Sequence, residues 1–264
     1  MSPHEKFGFG IQAFGLGIRV ECESAETRQM LNKYLLPPMG RYDMPADSAL
    51  INLQVLEEQG GLSISINAQQ VATAINARDA VLASVKALDD AVVKNLKLYR
   101  AIHAGAVTLN GRALLIPGST HAGKSSLVAQ LLRNGANLLS DEYALIDNRG
   151  CVHAYPRPML LRNGSHKQSP VLPEELNANF AEGPANVGWI LALHYDPQAG
   201  WHVEEISQGE AVILLLSNTP HEMEQSPEMI SHFSCMSADA ACYSGTRGDF
   251  TEATERILEL VACK

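Results

Sequence analysis

In the stretch GSTHAGKSS, the residues Gly118, Gly123, Lys124 and Ser125 fill every fixed position of the pattern G-x-x-x-x-G-K-[ST]. A chain of this size and ordinary composition shows that pattern by chance in about one case in a hundred. The chemistry behind it is anion binding. Glycines adopt backbone angles that a Cβ forbids, so successive N–H groups can turn toward one point at a helix N-terminus. Lys124 then adds a charge aimed at β and γ phosphates, and Ser125 a hydroxyl for magnesium. The expected contact set is Gly118, Ser119, Thr120, His121, Ala122, Gly123, Lys124, Ser125 and Ser126, with ATP and Mg2+ as the cofactors. A glycine-rich turn carrying a solvated lysine is the structural alternative, and the register of the flanking elements weighs against it.

A phosphate cradle also needs an acid to hold magnesium or to orient the attacking nucleophile. Asp141-Glu142 and Asp147 are the candidates. If residues 138–140 return in parallel beside the strand that feeds the loop, as a right-handed crossover dictates, Asp141 ends up at the phosphates. Asp147 with Gly150 matches D-x-x-G, but six further extended residues carry it about 20 Å away, into an outer turn. Two arginines are weaker candidates. Arg157, between Tyr155-Pro156 and Pro158, lies on a stiff extended segment, and Arg247 in SGTRGD reads as a loop residue.

The elements that must position these residues can be read from periodicity. Residues 113–116 are an apolar run that can be a buried strand, and Leu127, Leu131 and Leu132 stripe one face of a helix. Asn110-Gly111 is the favoured dipeptide of a type I′ hairpin, so the strand before the loop is half of a hairpin. Asn134-Gly135 stops the helix, and residues 143–146 and 151–155 form a second hairpin. Later, residues 189–194 and 201–206 read as strands. Ser207 with Glu210, and Asp249 with Glu252, read as helix-opening capping boxes.

Before residue 100 the pattern is a small α+β unit with no cluster of reactive side chains. It predicts paired strands over 7–21, a helix opened by Ser24, a hairpin around EEQGG and a helix over 80–99. The expected domains are therefore 1–100, which braces or recognises a partner, and 101–264.

Composition excludes several classes. With 264 residues, 46% of them hydrophobic and 19% charged, the chain reads as a soluble globular protein. No apolar run approaches a membrane span and the start MSPHEKFGFG has no leader character, so no membrane and a cytoplasmic location are expected. Five scattered cysteines without a C-x-x-C pair suit reduced thiols rather than zinc or disulfides. A net charge of −9 without a basic cluster argues against a nucleic-acid partner.

The segment HAGAVTLNGRALLIPGSTHAGKSSLVAQLLRNGANLLSDE resembles the core of HPr kinase/phosphorylase and its smaller relatives. That family places a histidine fifteen residues before the first P-loop glycine, as His103 stands before Gly118. It places adjacent carboxylates 16 and 17 residues after the P-loop serine, as Asp141 and Glu142 follow Ser125.

The resemblance implies an α/β P-loop kinase domain of the HPr kinase/phosphoenolpyruvate-carboxykinase-like type, with a mixed sheet. It implies transfer of the γ-phosphate of Mg-ATP to a hydroxyl, expected to be serine of a protein or peptide; the small relatives include ones that phosphorylate serine on ribosomally made peptides such as lasso peptides, and others of unknown substrate. Asp141, Glu142, His103 and Lys124 would be catalytic, with Ser125, Asp141 and Glu142 at the metal and Asp141 taking the proton. The chain departs from the family in its second acid, which is glutamate, and in lacking the downstream glycine-rich signature near residues 160–170. The HPr acceptor and the reverse phosphorylase reaction are accordingly not implied.

The alternative is a P-loop ATPase or nucleotide switch in which Glu142 activates water; a degenerate fold that only binds nucleotide is a third. A GTPase is disfavoured, since Asn32-Lys33 is followed by Tyr34-Leu35 rather than x-Asp. A homo-oligomer stays open.

Overall fold

The structure is a computed structural model describing residues 7–35, 50–118, 123–162, 167–221, 223 and 226–262. It forms two units. One comprises Met1–Lys97 with Arg157–Leu172, the other Leu98–Pro156 with Pro173–Lys264. A single cut at residue 100 therefore does not describe them, because residues 157–172 leave the second unit and pack in the first.

In the first unit, β1 (Phe7–Ala13) and β2 (Leu16–Cys22) form a hairpin, and β2 pairs in parallel with β3 (Ile51–Glu58). Antiparallel β4 (Gly61–Ile66) and β5 (Gln69–Ala74) complete five strands. The QQVATA sequence of β5 is mostly exposed, which is why alternation does not announce it. Helix α1 (Ala25–Tyr34) is capped by Ser24, as expected. Helix α2 (Ala77–Asn95) starts and stops earlier than the predicted 80–99, since Asn76 caps it and Leu96 turns extended. The inserted hairpin β11 (Met159–Arg162) and β12 (Gln168–Val171) pairs with itself and is tied to α2 by hydrogen bonds from Arg78 to Ser169 and from Lys86 to Gln168.

The second unit is a mixed α/β layer structure. Its centre is the hairpin of β6 (Arg100–Leu109) and β7 (Arg112–Pro117), turned by Asn110 (φ 50°) and Gly111 (φ 76°), the positive pair a type I′ turn requires. After β7 come α3 (Lys124–Arg133), β8 (Asn137–Ser140), β9 (Tyr143–Ile146) and β10 (Cys151–His153). The chain re-enters with β13 (Ala185–Tyr195) and β14 (His202–Glu205), then α4 (Gln208–Ser217) with the expected Ser207–Glu210 capping box. Helix α5 (Pro227–Ala238), β15 (Ala241–Arg247) and α6 (Phe250–Ala262) end it. The strand order is β10-β9-β6-β7-β13-β15-β14, with β8 also on β6 and β10 also on β13.

Strand β6 shows how the layers arise, because successive side chains point to opposite faces. Ile102, Ala104 and Ala106 join the core beneath α4 and α5, with Leu215 and Phe233. His103 and Gly105 face the other way, where α3 packs. A Cβ on Gly105 would lie 2.7 Å from Val128 Cγ2, so this glycine lets α3 settle onto β6. Among the described residues no helix is long and apolar enough to cross a membrane. Cys22, Cys151, Cys235 and Cys242 are free thiols.

Strand β8 corrects one expectation. It runs parallel to β7, as the crossover rule demands, but does not lie beside it. Strand β6 is inserted between them and pairs antiparallel with both. The hairpin partner of β7 already occupies that edge, so the crossover through α3 must pass over it.

Candidate active site

Strand β7 delivers Gly118 to the mouth of the loop; Ser119, Thr120, His121 and Ala122 lie outside the described residues. Gly123, the N-cap of α3, has φ +72°, an angle that suits glycine. No side chain caps α3, and among the α-helices described it alone has no acid in its first turn. Its leading N–H groups and positive pole, with no first-turn acid to offset them, therefore suit an anion. Lys124 is 8% exposed and donates from Nζ to the Gly118 carbonyl at 2.7 Å. Burial pulls its ammonium below the ordinary lysine range, against the opposing pull of the Glu142 and Asp141 carboxylates. Ser125 is half-buried and Ser126 exposed in the same first turn.

The acids arrive through β6. Strand β8 pairs along its C-terminal half and β9 along its N-terminal half, and Asp141-Glu142 form the jog between them. Ala104 N donates to the Glu142 carbonyl at 3.0 Å, and Gly118 N to the His103 carbonyl at 3.3 Å. Gly118, His103 and Glu142 therefore stand level across β7, β6 and the jog. His103 joins them through its side chain as well, Nδ1 meeting the Gly118 carbonyl at 2.8 Å and Nε2 meeting Glu142 Oε1 at 2.7 Å. A carbonyl can only accept, so Nδ1 carries a hydrogen. Asp141 is 2% exposed, whereas the Glu142 side chain is 34% exposed.

The structure thus brings together Gly118, Gly123, Lys124, His103, Asp141 and Glu142. Among the described residues no group of three or more His, Cys, Asp or Glu side chains is placed to hold a metal ion by itself. A serine hydroxyl with one carboxylate nevertheless fits magnesium, which takes its remaining ligands from phosphates and water. An open helix N-terminus with a glycine cap and a buried lysine fits the phosphates.

Asp147 is elsewhere. It follows β9, and its carboxylate accepts from Arg149 N at 2.8 Å, Cys151 N at 3.0 Å and His153 Nε2 at 2.8 Å, holding the turn to β10. Arg157 is corrected as well: it lies in the first unit, buried, 3.4 Å from Asp89 Oδ2, rather than pointing at phosphate. Arg247 is the last residue of β15 rather than a loop residue, and its Nη2 lies 2.5 Å from where a Cβ on Gly123 would stand. Sequence reasoning weighed that arginine weakly because ACYSGTR lacks the apolar alternation of a strand.

No protein-family profile matches the chain, and no curated protein matches it. Among solved structures the chain is similar to the HPr(Ser) kinase/phosphatase from Coxiella burnetii, over 62% of this chain and 99% of that one. The identity is 14% and the TM-score 0.30, too loose a likeness to carry an argument about the site.

Proposed function

We propose that the chain is a Mg-ATP-dependent kinase that transfers the γ-phosphate to a hydroxyl, that of serine in a protein or peptide. The observation that carries this reading is the level row of Lys124–Gly118–His103–Glu142, a buried cation at an open helix N-terminus joined through a histidine to a partly open carboxylate. Mg-ATP, when bound, supplies the phosphoryl donor. Lys124 and the leading N–H groups of α3 hold the β and γ phosphates and neutralise charge that grows during transfer. Ser125 and Asp141 would hold the metal.

Glu142 rather than Asp141 is then assigned to take the acceptor proton, because a general base must be reachable by the hydroxyl and the Glu142 carboxylate is the more open of the two. His103 positions Glu142 and ties it to Gly118. The sequence-based expectation puts both acids at the metal and the proton on Asp141; here the base moves to Glu142 and Asp141 keeps the metal. The partial exposure of Glu142 also supports a second reading, an ATPase in which water takes the place of the hydroxyl.

Incubation with γ-labelled ATP, magnesium and candidate serine peptides tests both. Labelled peptide supports the kinase, label only in free phosphate supports the ATPase, and Lys124→Ala should abolish either. Calorimetry on Lys124→Ala should show Mg-ATP affinity reduced by about a hundredfold, since a desolvated charge partner of the phosphates is lost. Unchanged affinity in that variant would place any bound nucleotide elsewhere.

A further inference from the structure

The parallel strands β7, β13 and β15 all end on the side of the sheet where the loop begins. In open α/β sheets, ligands bind outside the carboxyl ends of such strands. Strand β7 contributes Gly118 there, and β15 contributes Arg247. The residue is held both through its guanidinium and through its backbone. Tyr195, its register partner on β13, lies under it at 4.9 Å from the ring centroid. Arg247 Nη1 donates to the Gly248 carbonyl at 3.1 Å, and the Arg247 carbonyl accepts from Asp196 N at 3.0 Å. A Cβ at Gly248 would collide with the Ala199 carbonyl, so the turn that holds this arginine also needs its glycine.

The side chain is 3% exposed and reaches Gly123. A β-carbon at position 123 would lie 2.5 Å from Arg247 Nη2, so the guanidinium sits where only a glycine leaves it undisturbed, and the positive φ of Gly123 favours glycine independently. Two buried cations, Lys124 and Arg247, therefore converge on the N-terminus of α3, the positive pole of that helix. Burial disfavours the charge of both, with Asp141 and Glu142 opposing this at Lys124, and Tyr195 and Asp249 at Arg247. Collecting cations at a positive pole is unfavourable for the protein by itself and favourable around a multiply charged anion.

We infer that Arg247 is a phosphate-binding residue of the nucleotide site, its guanidinium closing the cradle from the β15 side while Lys124 holds it from the β6 side. The inference rests on the nucleotide reading above and adds to it a contact about 120 residues beyond the loop. Its fork geometry can engage two phosphate oxygens at once, which an ammonium cannot.

The test is calorimetry of the full chain with Mg-ATP and with inorganic tripolyphosphate, for the wild type, Arg247→Met and Arg247→Lys. Arg247→Met should weaken both ligands at least tenfold while the unliganded protein melts close to the wild type, and Arg247→Lys should recover only part of the loss. A folded Arg247→Met that binds like the wild type overturns the inference and leaves the nucleotide reading standing. Should Arg247→Met fail to fold, hydrogen exchange on the wild type decides. Mg-ATP must slow exchange in peptides covering residues 241–249 as well as 123–133, and protection confined to the latter overturns the inference. A wild type that binds neither ligand removes the nucleotide reading and this inference with it.

Discussion

The second unit holds two histidine–carboxylate pairs of nearly equal length, His103–Glu142 at 2.7 Å and His153–Asp147 at 2.8 Å, one at each end of β9. They differ in what else their atoms touch. The other ring nitrogen of His103 reaches the Gly118 carbonyl, which Lys124 also bonds, and that couples the first pair to the phosphate cradle. The ring of His153 instead meets Tyr99 edge-on at 5.0 Å, and the second oxygen of Asp147 is taken by two backbone N–H groups of its own turn. One pair faces a site; the other closes a hairpin. An imidazole paired with a carboxylate at nearly the same distance therefore carries no functional meaning until the remaining hydrogen bonds are traced.

The sharpest way to break this comparison is Glu142→Gln beside Asp147→Asn. Loss of a general base typically costs about 10²–10⁴ in rate. Glu142→Gln should show that loss with Mg-ATP affinity nearly intact, while Asp147→Asn keeps turnover within about twofold. If Asp147→Asn is the variant that loses turnover, the assignment of the two pairs is reversed and the kinase reading fails with it. Asp141→Asn comes next: as a proposed metal ligand it should weaken magnesium-dependent binding by roughly 10–100-fold. Full binding with lost turnover would return the role of base to Asp141.

A smaller effect is expected from Gly105→Ala, which leaves every polar group in place. Its methyl would press on Val128 and move α3, at a cost of about 1–3 kcal/mol read from urea unfolding. An unchanged midpoint would mean that α3 is not seated by this glycine. The smallest is the stability effect of Asp147→Asn, about 1–2 kcal/mol from charge-assisted hydrogen bonds. Burial raises the Asp147 carboxyl, but bonds from His153, Cys151 and Arg149 outweigh it and hold its pKa below the ordinary value. Such a group stabilises above its unfolded pKa, near 3.9, and loses that contribution as pH falls through the folded value. The melting-temperature gap to the wild type should thus be full above about pH 5 and close below about pH 4. A gap that widened in acid would contradict it.

What the sequence made legible was local. The Asn110-Gly111 turn, the Ser24 cap and the Ser207–Glu210 capping box each lie within a few residues, and each is decided by backbone sterics or one or two local hydrogen bonds. The type of the β8 crossover was legible too, and its direction held. What was hidden was non-local. Nothing in residues 100–109 states that β6 will sit between β7 and β8, since that depends on which sheet edge is already taken. The departure of residues 157–172 into the first unit has no local signal, because it is set by partners such as Arg78 and Asp89, about seventy to ninety residues earlier in the chain. Helix α5, with SHFSC at its middle, carries too mixed a face to be announced by its pattern.

The insertion of β6 between β7 and β8 has a consequence for how the protein forms. Strand β6 closes on β7 across two residues and meets β8 and β9 within about forty, whereas β13 and β15 return from far along the chain. Closing short loops costs less chain entropy, so the β6–β7–β8–β9 group should be protected first in pulse-labelled refolding and β15 late. A histidine, two acids and a lysine would then be in register before Arg247 arrives, and a nascent chain would carry the reactive groups before the last cation that completes their cradle.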